Sequence, residues 1–409
     1  MSGRQHGGYS SLSILFFFQA HALGMWGMNL SNVLKAYGFE LLVPYVFACN
    51  SIAALVSPLA IGALADERLP PERILRWLGL GAAAFLALFF YGIQQQWNMW
   101  IVLLLAQIHA LWSVPTFGLT TSLVMSRLSA PQIQFGGIRL WATVGWMAAG
   151  WMVSLVLKAD RSVVSGYASA LTWLVTVGFT YVLPPTVSWI ETKGRRSVRE
   201  IFGLDALHLL RHPDHKVVFV SAGLLNMALA AFYPFTVLHL DDLGVKQTAA
   251  AMSIGQITEI ITMVALASIL TRFRLKWVFL VGMGFGVLRY ALFVLDTTPA
   301  LITGIFLHGF CFTLFFITAQ IYLEQRIPHT MRARAQSLLT LMMNGFGNLF
   351  GALGCGWWRQ ACMENGRTSW PMFWTGMMIV TMGVTIFFAL AYKGGNRENE
   401  LEKLEEEGA

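Results

Sequence analysis

Charge is the first thing this chain lacks. Only 12% of its 409 residues are Asp, Glu, Lys or Arg, about half the share found in an ordinary soluble domain. That scarcity excludes a solvated globular surface of the usual kind. Cysteine is also sparse. Cys49, Cys311, Cys355 and Cys362 show neither metal-ligand spacing nor a disulfide framework. Three of them lie in apolar runs, where Cys packs as a small hydrophobe. No His-Glu-x-x-His or similar cluster of nucleophile, base or metal ligands occurs, which argues against an intramembrane enzyme. No polar stretch is long enough to be the output domain of a sensor. No enzymatic activity, metal or cofactor is expected.

What the chain has instead is apolar length: 56% of its residues are hydrophobic. Runs near twenty residues, each long enough to cross a bilayer core, fall at 12–34, 41–64, 74–93, 97–126, 131–157, 163–184, 216–240, 248–270, 276–295, 299–325, 332–357 and 370–392. One soluble core could not hide so many uniformly apolar segments. The run from Leu12 with Ala20-His21-Ala22 loosely mimics a cleaved leader, but apolar character continues to Leu34, so a retained first helix is expected.

Basic residues orient the chain. With a cytoplasmic N-terminus, 20 of the 28 Lys and Arg fall on inner segments and six on outer ones, and Arg139 and Arg289 remain inside spans. This is a strong positive-inside bias. It accounts for the net charge of +7 without a nucleic-acid partner. The expectation is a multi-pass protein of the inner (cytoplasmic) membrane, monomeric, with both termini cytoplasmic.

The longest polar stretch, with Lys193-Gly194-Arg195-Arg196, divides the spans six and six. Residues 1–184 form an N-terminal six-helix half and 185–215 a cytoplasmic linker with a short surface helix from Val198 to Leu210. Residues 216–392 form a C-terminal half and 393–409 an acidic cytoplasmic tail. Between spans two and three, Gly62-Ala-Leu-Ala-Asp66 is followed by Arg68 and Arg73. This resembles the Gly-x-x-x-Asp-x-x-x-x-basic loop of the major facilitator superfamily, in which Gly62 lets helices approach and Asp66 and Arg73 latch an inner gate. The fold expected is therefore all-α and membrane-embedded, twelve transmembrane helices in two six-helix halves.

Ionisable and polar groups at membrane depth are costly and mark functional sites. Arg139 lies eight residues after Pro131, roughly 12 Å up its helix. Thr143 and Trp146 follow at i+4 and i+7, on the same face. A guanidinium, a hydroxyl and an indole can bond a polar solute and stack on a flat ring. Glu259 lies roughly 17 Å into its helix, near the bilayer midplane, with Gln256 on the same side. A carboxylate held there can take and release a proton, or accept bonds from a solute. On span ten, Phe312 can pack on a ring, Thr313 adds a hydroxyl, and His308 can titrate near neutral pH. His21, His109, Gln19, Gln107 and Asn226 read as interhelical hydrogen bonders, and Arg289 as a side chain reaching for the outer headgroups. The glycines of span eleven, Gly345 to Gly356, read as a close-packing face.

These residues are similar to those of the bacterial nucleoside/proton symporters of the major facilitator superfamily. The resemblance is clearest in Gly137-Ile-Arg139-Leu-Trp141-Ala-Thr143-Val-Gly145-Trp146, in Ser253-Ile-Gly-Gln256-Ile-Thr-Glu259, and in Arg332-Ala-Arg-Ala-Gln336 through Asn344-Gly345-Phe346-Gly347. It implies proton-coupled import of a nucleoside. Arg139, Thr143, Trp146, Gln256, Glu259, Phe312 and Thr313 would line the substrate site, with Glu259 and His308 as coupling groups. The chain departs from the family at Ala228 and Ala231, where amides are used, and at Thr313, where an acid is used. Those departures leave open a sugar or other small polar metabolite as cargo, and an uncoupled facilitator as mechanism.

Overall fold

The computed structural model describes residues 2–66, 70–128, 131–183, 201–202, 204–328 and 331–394. A helix covers each apolar run expected from the sequence. They are α1 (Tyr9–Ala36), α2 (Val43–Asp66), α3 (Pro71–Gln94), α4 (Met99–Met125), α5 (Pro131–Trp151) and α6 (Val164–Phe179), followed by α7 (Pro213–Asp242), α8 (Thr248–Arg272), α9 (Leu275–Val294), α10 (Thr298–Arg326), α11 (Arg332–Ala361) and α12 (Trp370–Ala391). Among the described residues, ten stretches are long and apolar enough to span a bilayer; α5 and α6 are the two expected spans outside that set. In hydrocarbon every backbone group must bond internally, so these segments have no alternative to helix. Local chemistry sets several boundaries. Pro71 opens α3 at a position whose N–H has no helical partner, and Asn98 caps α4 by accepting from Trp100 N at 2.9 Å. Within the linker Leu204–Arg211 forms a 3-10 turn; the start of the surface helix expected from Val198 lies outside the described residues.

The chain forms two compact units. The first comprises Met1–Arg195 together with Tyr233–Ile254, and the second Arg196–Phe232 together with Gly255–Ala409. The division expected from the sequence places 233–254 in the second half; by its contacts this hairpin belongs to the first unit. Its parent helices are interrupted at both junctions, α7 at Ala230–Ala231 and α8 at Ile254.

Polar groups hold the hairpin within the first unit. Lys35 Nζ bonds Asp241 and Asp242, and Arg161 pairs with Asp241. Asn32 Nδ2 donates to Thr248 Oγ1 at 3.0 Å. Thr248 does not cap α8 through its own side chain. Asp160, from the connection after α5, does so instead: its Oδ1 accepts from Ala249 N at 2.8 Å, Thr248 Oγ1 at 3.0 Å and Ser154 Oγ at 2.8 Å. Asp160 is buried, so these donors have no ready water to replace it. Asp160→Ala is expected to cost about 3 kcal/mol, the scale of one to two charge-assisted bonds. The check is the thermal midpoint of purified protein in detergent: Ala should lower it clearly and Asn, which still accepts, much less. Equal midpoints for wild type and Ala would remove the carboxylate from this role.

The second unit is cored by Phe279, Phe315, Tyr322, Phe388 and Tyr392. Gly347 and Gly351 of α11 bring it against α7, where an added Cβ would meet Gly223 O at 2.9 Å and Met227 O at 2.5 Å. These two glycines take the close-packing role expected of span eleven, whereas nothing lies within 4 Å of a Cβ added at Gly354.

Candidate functional site

In the first unit the expected site residues lie along α5. Arg139 is half-buried, and its Cζ stands 4.7 Å from the Phe117 ring centroid and 5.9 Å from that of Phe16. Two aromatic faces thus orient the guanidinium by cation–π attraction. Thr143, one turn on, is buried. Trp146, half-buried, meets Tyr233 of the hairpin edge-to-face at 5.7 Å. Gly145 makes this wall possible, because a Cβ there would overlap the Phe17 carbonyl of α1. His21 Nδ1 donates to Gly145 O at 3.1 Å and ties the same two helices.

In the second unit Gln256 is buried and Glu259 half-buried on α8. Gly309 of α10 sits directly against the Gly255–Glu259 turn. Thr258 Oγ1 donates across to Phe306 O, joining α8 to α10. Phe312 is half-buried and opens a π-type turn, Phe312–Ile317. Such turns widen a helix locally and recur at functional sites. Thr313 is fully buried, and its Oγ1 has no hydrogen-bond partner among the described residues. His308 is buried, stacked on Phe232 at 4.1 Å and on Phe312 at 6.0 Å, with Nδ1 2.8 Å from Arg289 Nη1.

One expectation changes here. Arg289 does not reach for headgroups: it is 2% exposed and bonded to His308. A guanidinium only donates, so His308 Nδ1 accepts and the ring proton lies on Nε2. While that bond stands, the Nδ1 lone pair is engaged by Arg289. The interhelical bonders behave as expected. Gln19 Nε2 donates to Thr116 Oγ1 at 2.8 Å, His109 Nδ1 to Ala82 O at 2.9 Å, Gln107 Nε2 to Cys49 O at 3.4 Å and Asn226 Nδ2 to Met343 O at 2.8 Å. Of the gate residues, Gly62 lies near the end of α2, the Asp66 side chain lies outside the described residues, and Arg73 is exposed in the first turn of α3.

The sequence reading missed three groupings. Arg127 pairs with the buried Glu72. Asp160, Lys35, Arg161, Asp241 and Asp242 hold the hairpin. Arg289 and His308 form a buried pair. Each joins residues distant in sequence, and among lone charges only the intramembrane position of Arg289 gave any hint.

Comparison with known proteins finds relatives over nearly the whole chain. A family model described as "Nucleoside H+ symporter" matches residues 9–397. YegT, a candidate nucleoside transporter of Escherichia coli strain K12, is 30% identical over 413 residues, covering 95% of each chain. The nucleoside permease NupG of the same organism is 27% identical over 404 residues, covering 93% of this chain and 94% of its own. A crystal structure of the nucleoside transporter NupG superposes with a TM-score of 0.81 at 25% identity, covering 94% of this chain and 99% of that one. A D-xylose–proton symporter, at 11% identity, shares the fold with a TM-score of 0.72. With the family model spanning nearly all of a chain that has the major facilitator fold, this protein belongs to the nucleoside H+ symporter family.

Proposed function

We propose that this chain imports nucleosides across the inner membrane by alternating access, with one proton carried on Glu259, and that both termini are cytoplasmic. The observation that carries the reading is the half-buried carboxylate of Glu259, one turn from buried Gln256, in a chain of this family. Glu259 and Gln256 accept ribose hydroxyls. Arg139 and Thr143 supply hydrogen-bond donors to a polar solute. Trp146 and Phe312 offer faces on which a flat base stacks. A protonated Glu259 is neutral and crosses the occluded state readily; an ionised one favours the states in which water reaches it. Substrate and proton therefore move together.

A second reading keeps the fold and changes the cargo. Ala228 and Ala231 are buried and apolar, and Thr313 carries no charge, so base-edge contacts and a second acid are missing. A sugar or other small polar metabolite, carried without coupling, fits that reduced set. Uptake into proteoliposomes of radiolabelled uridine, adenosine, xanthosine, ribose and xylose separates the readings. The expected result is saturable nucleoside uptake stimulated by an inward proton gradient. Uptake of free sugars alone would overturn the nucleoside reading.

A further inference from the structure

Arg289 is a buried cation. Among the described residues no carboxylate forms an ion pair with it, and its Nε has no hydrogen-bond partner. A lone guanidinium in a bundle core is costly, so its surroundings must compensate. They are aromatic and imidazole. The Cζ lies 4.5 Å from the Tyr290 ring centroid and 4.9 Å from that of Phe232, and Nη1 donates to His308 Nδ1 at 2.8 Å.

This arrangement fixes the plane of one ring. The His308 imidazole lies nearly parallel to Phe232, at 6° and 4.1 Å, and faces Phe312 at 28° and 6.0 Å. It is thus the middle layer of a stack running from α7 to the expected substrate-facing ring of α10. An imidazole free to rotate about its side-chain bonds would not hold that plane; one bonded at Nδ1 by a forked, rigid donor does. The same α9 turn also steadies the break in α7. Tyr290 Oη donates to Ala228 O at 2.7 Å, just before the interruption at Ala230–Ala231, and Arg289 covers Phe232 just after it.

We propose that Arg289 is a positioning residue for substrate recognition: through His308 it sets the ring plane of Phe312, against which the nucleobase stacks. This rests on the reading of Phe312 as the base-contacting aromatic. Arg289 acts at one remove, so its loss should weaken recognition of the flat base and spare the sugar.

The test is uridine transport by purified protein in proteoliposomes, with free ribose as a weak competitor. Arg289→Met is expected to raise the uridine KM about fivefold, the scale of one aromatic contact, with ribose competition unchanged. Maximal rate should stay within about twofold, because binding rather than translocation is affected. His308→Phe alone strands the guanidinium and should do the same. The double variant Arg289→Met with His308→Phe removes charge and acceptor together and keeps three stacked rings. It is expected to return KM to within about twofold of wild type. Should Arg289→Met fail to fold, the double variant decides: a restored KM supports the role and a raised one overturns it. Equal loss for uridine and ribose in Arg289→Met, or no loss at all, also overturns it. A wild-type chain that takes up no nucleoside overturns the proposed function together with this inference; uptake by wild type with an unchanged KM in the variant overturns this inference alone.

Discussion

Glu259→Gln is expected to abolish concentrative uptake while leaving exchange of nucleoside for nucleoside in place. Gln keeps the volume of Glu259, its carbonyl acceptor and its position one turn from Gln256. What it loses is the ability to gain and release a proton. With one proton per solute, an imposed inward gradient of about one pH unit supports accumulation of about tenfold, because both correspond to roughly 1.4 kcal/mol. The variant should stop at equal concentrations on the two sides. The measurement is steady-state accumulation in proteoliposomes with and without the gradient, alongside counterflow. Tenfold accumulation by Glu259→Gln would place coupling on another group. Loss of both accumulation and counterflow would make Glu259 a binding residue first, with coupling undecided by this substitution. Glu259→Asp then separates the two, since it keeps the titrating group with a shorter reach.

Gly309→Val is expected to eliminate transport, and Gly309→Ala to reduce it more than about tenfold, because neither partner helix can yield. An added Cβ at Gly309 would overlap the backbone nitrogen of Glu259 and come within 2.5 Å of Thr258 Oγ1 and 2.6 Å of Gly255 O. These are backbone and helix-locked atoms, so relief requires moving α8 away from α10. Gly255 faces the same constraint from the other side: a Cβ there would meet Ile305 O at 3.0 Å and His308 Cβ at 3.3 Å. The two glycines therefore set the separation of the helix carrying Gln256 and Glu259 from the helix carrying His308 and Phe312. Gly354→Ala is the control, since nothing lies within 4 Å of its added Cβ, and it should transport at the wild-type rate. Wild-type uptake by Gly309→Val would show that α8 and α10 can separate without loss, and would detach Glu259 from Phe312 as a single wall.

Much of this molecule is legible before any coordinates. The spans are legible because hydrocarbon leaves a chain no choice but helix, and the apolar runs match α1 to α12 within a few residues. Arg139, Gln256 and Glu259 stand out because a polar group at that depth is costly and so is rarely present without a use. The glycines of α11 are legible as a packing face for the same kind of reason: small residues recur where helices touch.

What could not be read this way depends on pairs brought together from far apart. Asp160 caps α8 from 89 residues before Ala249. Lys35 finds Asp241 across 206 residues. No local pattern encodes either, yet together they place the hairpin 233–254 with the first unit. Arg289 looked like a side chain bound for the headgroups until His308, 19 residues on, was found beneath it. By itself the sequence determined the membrane class, the helical spans and the carboxylate that the proposed transport needs, because the solvent dictates these residue by residue. Tertiary structure alone decided which helix halves pack together and which buried cation orients which ring, because those follow from packing between segments whose separation in the chain carries no information about their distance in space.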